Sequence, residues 1–206
     1  MIFEKYYILI SLFLIAGSLA IVFSRLDKRH TGVRRITLIA VMTALSIVGR
    51  FIFASLPAFK PVSAIIILTG IYLGSEAGFL CGCLSAFLSN FYFGQGPWTP
   101  FQMVALGLIG LFAGIIFSKR RFKRSSFRMI VICIYGLICG IFYSLFLDTW
   151  TMLWTYGSFD LKGYLAVISA AIPYTVLYSL SNVLFLIILD IPFGKRLGRI
   201  ITKYRI

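Results

Sequence analysis

The sequence has little charge, and above all little negative charge. Asp, Glu, Lys and Arg make up 13% of its 206 residues and only six residues are acidic, whereas soluble domains carry about 25% charged residues. Hydrophobic residues reach 60% and the mean hydropathy is +0.98, which excludes a soluble globular domain. Apolar runs recur that can cross a hydrocarbon core of about 30 Å as helices, and strand-like alternation over about ten residues is missing. The sequence therefore predicts an all-α membrane protein.

Side chains that hold metals or carry out catalysis are also scarce. The single histidine, His30, lies in a basic stretch, and the cysteines lie in apolar runs without a CxxC pair: Cys81, Cys83, Cys133 and Cys139. We expect no metal site and no cofactor. The chain has no G-x-x-x-x-G-K-[ST] phosphate loop, so any ATP hydrolysis would belong to a partner. An enzyme is disfavoured, because no serine–base pair or paired carboxylates occur at helical spacing.

Basic residues outnumber acids, with 20 Lys and Arg giving a net charge of +14. They are concentrated in three clusters at residues 25–35, 119–128 and 195–205. Basic loops of membrane proteins face the cytoplasm, where they also meet anionic membrane lipids. This placement explains the charge without nucleic acid as a partner. It predicts that all three clusters and the C-terminus are cytoplasmic.

The first apolar run, residues 6–23, has the length of a signal peptide. Its N-terminal flank is barely positive and the basic stretch follows the run, so we interpret residues 1–30 as an extra N-terminal transmembrane helix and a basic loop. Residues 31–206 then form a domain of six membrane spans. The expected spans are 36–56, 62–73, 78–92, 101–117, 127–147 and 164–189. With these spans, all three basic clusters lie on one side of the membrane.

Glycine recurs every four residues at Gly70, Gly74, Gly78 and Gly82. Small residues at this period let helix backbones approach closely in lipid. Residues 74–77 have the composition of an inner turn after a short second span. The pattern predicts a close packing face if the helix continues through that turn.

A turn rich in glycine and proline at residues 90–102, NFYFGQGPWTPFQ, separates two spans. Two glycines and two prolines cannot lie together inside a helix, so one helix is predicted to end near Phe93. Proline is tolerated in a first helical turn, so the next helix is predicted to begin at Pro100.

The same turn is the first candidate for a ligand site. Gln95 and Gln102 offer hydrogen-bond donors and acceptors, and Trp98 offers a flat apolar face with one N–H donor. Asn90 either caps its helix or forms a further wall of the pocket. The alternative is a membrane-interface hairpin anchored by the tryptophan.

Arg50 is a charged residue inside a predicted span, where charge is costly. It either extends to the outer interface or pairs with a ligand or with Asp148. Asp148 begins an aromatic outer segment, 148–160, in which Trp150 and Tyr156 are further candidate ligand contacts.

Ala40-Val-Met-Thr-Ala44 has the A-x-x-x-A pattern of a known family. Together with a short second helix, six core spans, basic loops and the turn at 94–102, it resembles the S components of energy-coupling factor (ECF) vitamin transporters. The resemblance implies a six-helix bundle in a bacterial plasma membrane that captures a vitamin near the outer face. It also implies partners, namely a transmembrane coupling subunit contacted by Ala40 and Ala44, and two ATPase subunits. The loaded S component would topple to carry its site inward.

The turn at residues 94–100 looks most like S components of the cobalamin type. The predicted site is Arg50, Asn90, Gln95, Trp98, Gln102, Asp148, Trp150 and Tyr156. Riboflavin is the second candidate, since a flat ring system also stacks on aromatic residues. Pantothenate, a small anion, would lean on Arg50, and another vitamin or precursor stays open.

Two other classes of function remain as alternatives. A partner-independent carrier or channel would transport in liposomes without other subunits. Ion coupling is poorly supported, because the acids Asp148, Asp160 and Asp190 fall near predicted span ends. An intramembrane enzyme is the third and weakest alternative.

Overall fold

The computed structural model describes residue 17 and residues 33–117, 126–157 and 159–204. Every regular element in these ranges is a helix, which confirms the all-α prediction. The six helices are α1 (Val33–Ile52), α2 (Val62–Leu73), α3 (Ser75–Phe93), α4 (Thr99–Ile116), α5 (Ser126–Tyr156) and α6 (Leu161–Tyr204). Apart from Gly17, the extra helix expected over residues 6–23 lies outside the described residues, as do most residues of the first two basic clusters.

Four of these helices, α1, α4, α5 and α6, are long and apolar enough to cross a membrane. Helix α2 has 12 residues, about 18 Å at the usual rise per residue, which is short for a crossing. Helix α3 has 19 residues but includes Glu76, Asn90 and several serines. The protein is a multi-pass helical membrane protein with fewer full-length apolar helices than the six expected spans.

Helix ends agree with the sequence where strong breakers occur. Helix α2 covers the predicted 62–73, between Pro61 and Gly74, and Gly74 has a φ of +99° that favours glycine. Helix α3 ends at the predicted Phe93. Helix α4 begins at Thr99, so that Pro100 lies in its first turn as expected.

Helices α5 and α6 are longer than predicted. The expected span 127–147 continues as helix α5 to Tyr156, because the segment after residue 147 contains no breaker before Gly157, whose φ is +70°. Helix α6 has 44 residues and contains Pro173 and Pro192. The aromatic segment at residues 148–160 therefore lies mostly in the last turns of α5.

Helix α2 lies at the centre of the bundle and contacts each of the other five helices. All but one of the residues from Ala64 to Leu73 are buried. In lipid, such a helix gains its stability from packing against protein on every side. The core is thus built around the shortest helix.

Glycines bring α2, α3 and α4 close together. A Cβ added at Gly70 or Gly78 would collide with the backbone of Gly110, and one at Gly82 would collide with the backbone of Leu106. The predicted close packing face is therefore present. It differs in one respect, since the chain breaks at Gly74 and the face belongs to two helices.

Candidate functional site

A hydrogen-bonded network joins the ends of α1, α3 and α4. Arg50, in the last turn of α1, donates through Nη1 to Ser89 Oγ and to Asn90 Oδ1, the latter at 2.8 Å. Asn90 Nδ2 donates to Thr99 Oγ1 at 3.0 Å and to Gln102 Oε1 at 2.8 Å. We call these five residues the arginine–amide network.

The network explains how the membrane segment holds a cation. Arg50 is half-buried, its bonded acceptors are neutral, and its guanidinium lies 4.6 Å from the ring centroid of Phe93. Of the alternatives for Arg50, the ion pair with Asp148 is not formed. Asp148 instead accepts a hydrogen bond from Ser144 Oγ at 3.3 Å. Neutral partners fix the arginine in place without cancelling its charge.

A half-open cavity of about 90 Å³ lies beside the network. Its polar lining includes Arg50, Lys60, Ser63, Gln102, Tyr143 and Tyr178. The rings of Tyr143 and Tyr178 pack edge to face with centroids 5.2 Å apart. Asn182 also lines the cavity and donates through Nδ2 to Gly136 O at 3.0 Å. The cavity combines cations, hydroxyls and amides, which suits a polar ligand.

Lys60 brings a second cation to this cavity and was not among the predicted site residues. It lies in the loop between α1 and α2, with Nζ 5.8 Å from the ring centroid of Phe93. Burial lowers the pKa of Lys60, and the neighbouring charge of Arg50 lowers it further. A signal was present in the sequence, because Lys60 stands alone between Phe59 and Pro61 in an otherwise apolar outer turn.

Aromatic side chains gather where the start of α4 meets the last turns of α5. Trp98 meets Trp150 edge to face at 6.0 Å between ring centroids, and Trp150 stacks on Trp154 at 5.8 Å. The indole of Trp98 also covers Gly96, where an added Cβ would collide with the ring. We call Trp98, Trp150 and Trp154 the tryptophan group. None of the three lines the cavity.

The predicted site residues therefore lie in several places. Arg50, Asn90 and Gln102 are together in the arginine–amide network, and Trp98 and Trp150 are together in the tryptophan group. The other three point elsewhere. Gln95 is exposed and donates through Nε2 to Phe87 O at 2.8 Å, Asp148 bonds Ser144, and Tyr156 packs against Gly163.

A buried ion pair at the opposite part of α2 was missed by the sequence reasoning. Arg128 Nη1 lies 3.1 Å from Asp190 Oδ2, and Tyr72 donates through its hydroxyl to Asp190 Oδ1 at 2.6 Å. Arg128 is 8% exposed and Asp190 2% exposed. By sequence, Arg128 was grouped with the basic cluster at residues 119–128, and its buried partner Asp190 was not predicted. An acid flanked by Leu189 and Ile191 late in an apolar run was the available signal.

Ala40 and Ala44 lie on the exposed face of α1. Their neighbours on this face include exposed Val41, Leu45 and Val48. The opposite face of α1 is buried against the bundle. The structure therefore leaves the predicted partner face uncovered by other described residues of the chain.

Comparison with known proteins supplies the family. A model of the family "ECF-type riboflavin transporter, S component" matches residues 30–199. A UPF0397 protein of Aliivibrio salmonicida is 28% identical over an alignment of 129 positions that covers 56% of this chain and 70% of that protein. UPF0397 proteins of Aliivibrio fischeri and Vibrio atlanticus are 26% identical over the same shares of both chains.

No solved structure matches the chain.

The family match covers all six described helices except the last residues of α6. S components of ECF transporters bind substrates for transport, are not enzymes and work with an ECF module of a coupling subunit and ATPases. The chain belongs to the family of ECF-type riboflavin transporter S components.

Proposed function

We propose that this protein is the substrate-capture subunit of an ECF importer and binds a vitamin or vitamin precursor in the cavity beside Arg50. The observation that carries the proposal is the cavity itself, where the arginine–amide network meets Lys60 and two tyrosines. Converging polar groups in a concave site are the usual means of orienting a small ligand. The transmembrane coupling subunit and the two ATPase subunits would supply ATP hydrolysis and inward release.

The volume of the cavity and the family match rank the candidate substrates. Small-molecule pockets usually measure about 300–1,000 Å³, so a cavity of about 90 Å³ must widen for any vitamin. A corrinoid needs the largest opening, which moves cobalamin behind riboflavin and pantothenate. The family's name favours riboflavin. The cationic Arg50 favours pantothenate, which is a small anion. The tryptophan group would serve cobalamin only if the ligand also covered the outer surface.

Calorimetric titration of the purified, detergent-solubilised protein tests the proposal. We expect one of riboflavin, pantothenate and cobalamin to bind with a nanomolar Kd, which is about −12 kcal/mol. The Asn90 side chain on α3 bonds Arg50 on α1 and two residues of α4. An Asn90→Leu variant removes these bonds, so it should weaken ligand binding at least about tenfold, or 1.4 kcal/mol. A Gln95→Leu variant, whose side chain points away from the cavity, is the matched control.

Two results would contradict the proposal. One is the absence of binding for all three vitamins by a protein that remains monodisperse. The other is equal loss of affinity in the Asn90 and Gln95 variants, which would move the site to the outer turn. Transport by the chain alone in liposomes would favour the partner-independent carrier.

A further inference from the structure

Among the described residues that line the cavity beside Arg50, two are cationic and none is acidic. Arg50 and Lys60 both line it, and both lie against the ring of Phe93, at 4.6 Å and 5.8 Å from its centroid. Placing two like charges next to one ring in a partly buried site is unfavourable unless a negative charge joins them. The site thus has a positive potential that its own residues maintain.

The acids that the structure describes are all engaged elsewhere. Glu76 lies 3.7 Å from Arg35, Asp190 pairs with Arg128, Asp148 accepts from Ser144, and Asp160 accepts from the Gly163 backbone N–H. Within the described part of the chain, neither Arg50 nor Lys60 forms an ion pair. The hydrogen-bond partner of Asp148 is a neutral hydroxyl, and no described carboxylate lines the cavity.

The geometry of Arg50 leaves a binding edge available. Both of its hydrogen bonds leave from Nη1, so among the described residues Nη2 and Nε have no hydrogen-bond partner. An arginine edge of two parallel N–H groups matches a carboxylate or a phosphate in bidentate fashion. Asn90 is itself fixed by Thr99 and Gln102, which keeps the guanidinium oriented before any ligand arrives.

The other lining groups add donors of the same kind. Tyr143 and Tyr178 line the cavity, and their hydroxyls have no hydrogen-bond partner in the ranges that the structure describes. A hydroxyl and an ammonium both donate to an oxyanion. Four donors from α1, the α1–α2 loop, α5 and α6 therefore surround one small space.

We propose that the ligand carries an anionic group, a carboxylate or a phosphate, that binds between Arg50 and Lys60. The inference rests on the proposed capture function and narrows its substrate to anionic vitamins or precursors. The proposed ligand therefore differs from riboflavin, the substrate in the family's name, because riboflavin is uncharged. A phosphorylated flavin or pantothenate has the required group.

The test compares two pairs of compounds that differ in this group. Calorimetry with pantothenate against panthenol, and with flavin mononucleotide against riboflavin, uses the intact detergent-solubilised protein. In at least one pair we expect the anionic member to bind at least about tenfold tighter, the effect of roughly one charge-assisted contact. Lys60→Gln should remove most of that difference, and Lys162→Gln, an exposed residue outside the cavity, should leave it unchanged.

The outcomes separate the two proposals. If the neutral member of a pair binds as tightly as the anionic one and Lys60→Gln has no effect, the capture function stands and the anionic requirement is overturned. If none of the four compounds binds and cobalamin also fails, the capture function is overturned as well. Arg50→Gln is a second variant in case Lys60→Gln does not fold.

A lipid headgroup has the same chemistry as a free phosphate. A parallel titration with the short-chain lipid dihexanoylphosphatidylglycerol distinguishes the two sources. Binding of this lipid, with no binding of pantothenate or flavin mononucleotide, would overturn the proposal of an anionic solute. Displacement of the lipid by one of the two solutes would support it.

Discussion

Asp190 shows how one buried charge can connect three helices. Its carboxylate receives the hydroxyl of Tyr72 from α2 and the guanidinium of Arg128 from α5, while it belongs to α6 itself. A charge this deeply buried is tolerated only when it is paired and hydrogen-bonded. Gly194, one turn further along α6, makes room for Tyr72, because an added Cβ there would contact its hydroxyl.

Breaking this pair should destabilise the protein more than removing it. We expect Asp190→Asn to lower the free energy of unfolding by about 3–5 kcal/mol, since it leaves Arg128 buried without a counter-charge. The double variant Arg128→Met/Asp190→Leu should recover most of that loss, because no uncompensated charge remains. Thermal unfolding in detergent measures both, and a double variant less stable than Asp190→Asn would contradict the explanation.

At the residue scale, the sequence predicted the polar groups better than their partners. Arg50, Asn90 and Gln102 were expected near a site and do share a network. Lys60 was missed, and the sequence left Asp148 open as one of three alternatives for Arg50, because both contacts depend on which loop folds over which helix end. Sequence spacing encodes which residues share a helix face, but it does not encode contacts between residues forty positions apart.

At the scale of helices, the quality of prediction follows the strength of the breakers. Pro61 and Gly74 fix both ends of α2, and Gly94 fixes the end of α3. Between residues 148 and 156 no glycine or proline occurs, so α5 continues beyond the predicted span to 31 residues. Hydropathy marks the part of a helix that lies in lipid, whereas the helix itself continues until the backbone is interrupted.

The glycine contacts between α2, α3 and α4 give a test at this scale. Gly78→Ala should destabilise the protein by about 1–3 kcal/mol, because the new methyl group has no space next to the Gly110 backbone. Gly198→Ala is the matched control, since nothing lies within 4 Å of its Cβ position and alanine favours a helix by about 1 kcal/mol. The free energy of unfolding in detergent should fall in Gly78→Ala and rise in Gly198→Ala. Equal changes in the two variants would contradict the packing argument.

At the scale of the whole molecule, the exposed face of α1 is separate from the cavity. Ala40 and Ala44 lie on that face, two to three turns away from Arg50 along the same helix. Small residues on a lipid-facing helix allow a second helix to approach closely. Binding of a ligand and docking of a coupling subunit can thus occupy one helix without competing for the same residues.

This separation predicts a variant that binds but does not transport. Ala40→Trp/Ala44→Trp should retain the Kd of the native protein and lose uptake in cells that contain the coupling and ATPase subunits. Ile138→Trp, on an exposed face of α5, is the control and should retain both. Normal uptake by the double variant would remove these alanines from the partner interface.

The glycine contacts around α2 also bear on the energetics of delivery. Because these glycines bring the backbones of α2, α3 and α4 into direct contact, we expect the three helices to change orientation together rather than to slide past one another. Under the proposed capture function, a toppling rotation that carries the site inward would be resisted by the surrounding bilayer, whose thickness and order must adapt to the tilted helices. Uptake by this protein should accordingly depend on acyl-chain length and membrane fluidity more steeply than ligand affinity does.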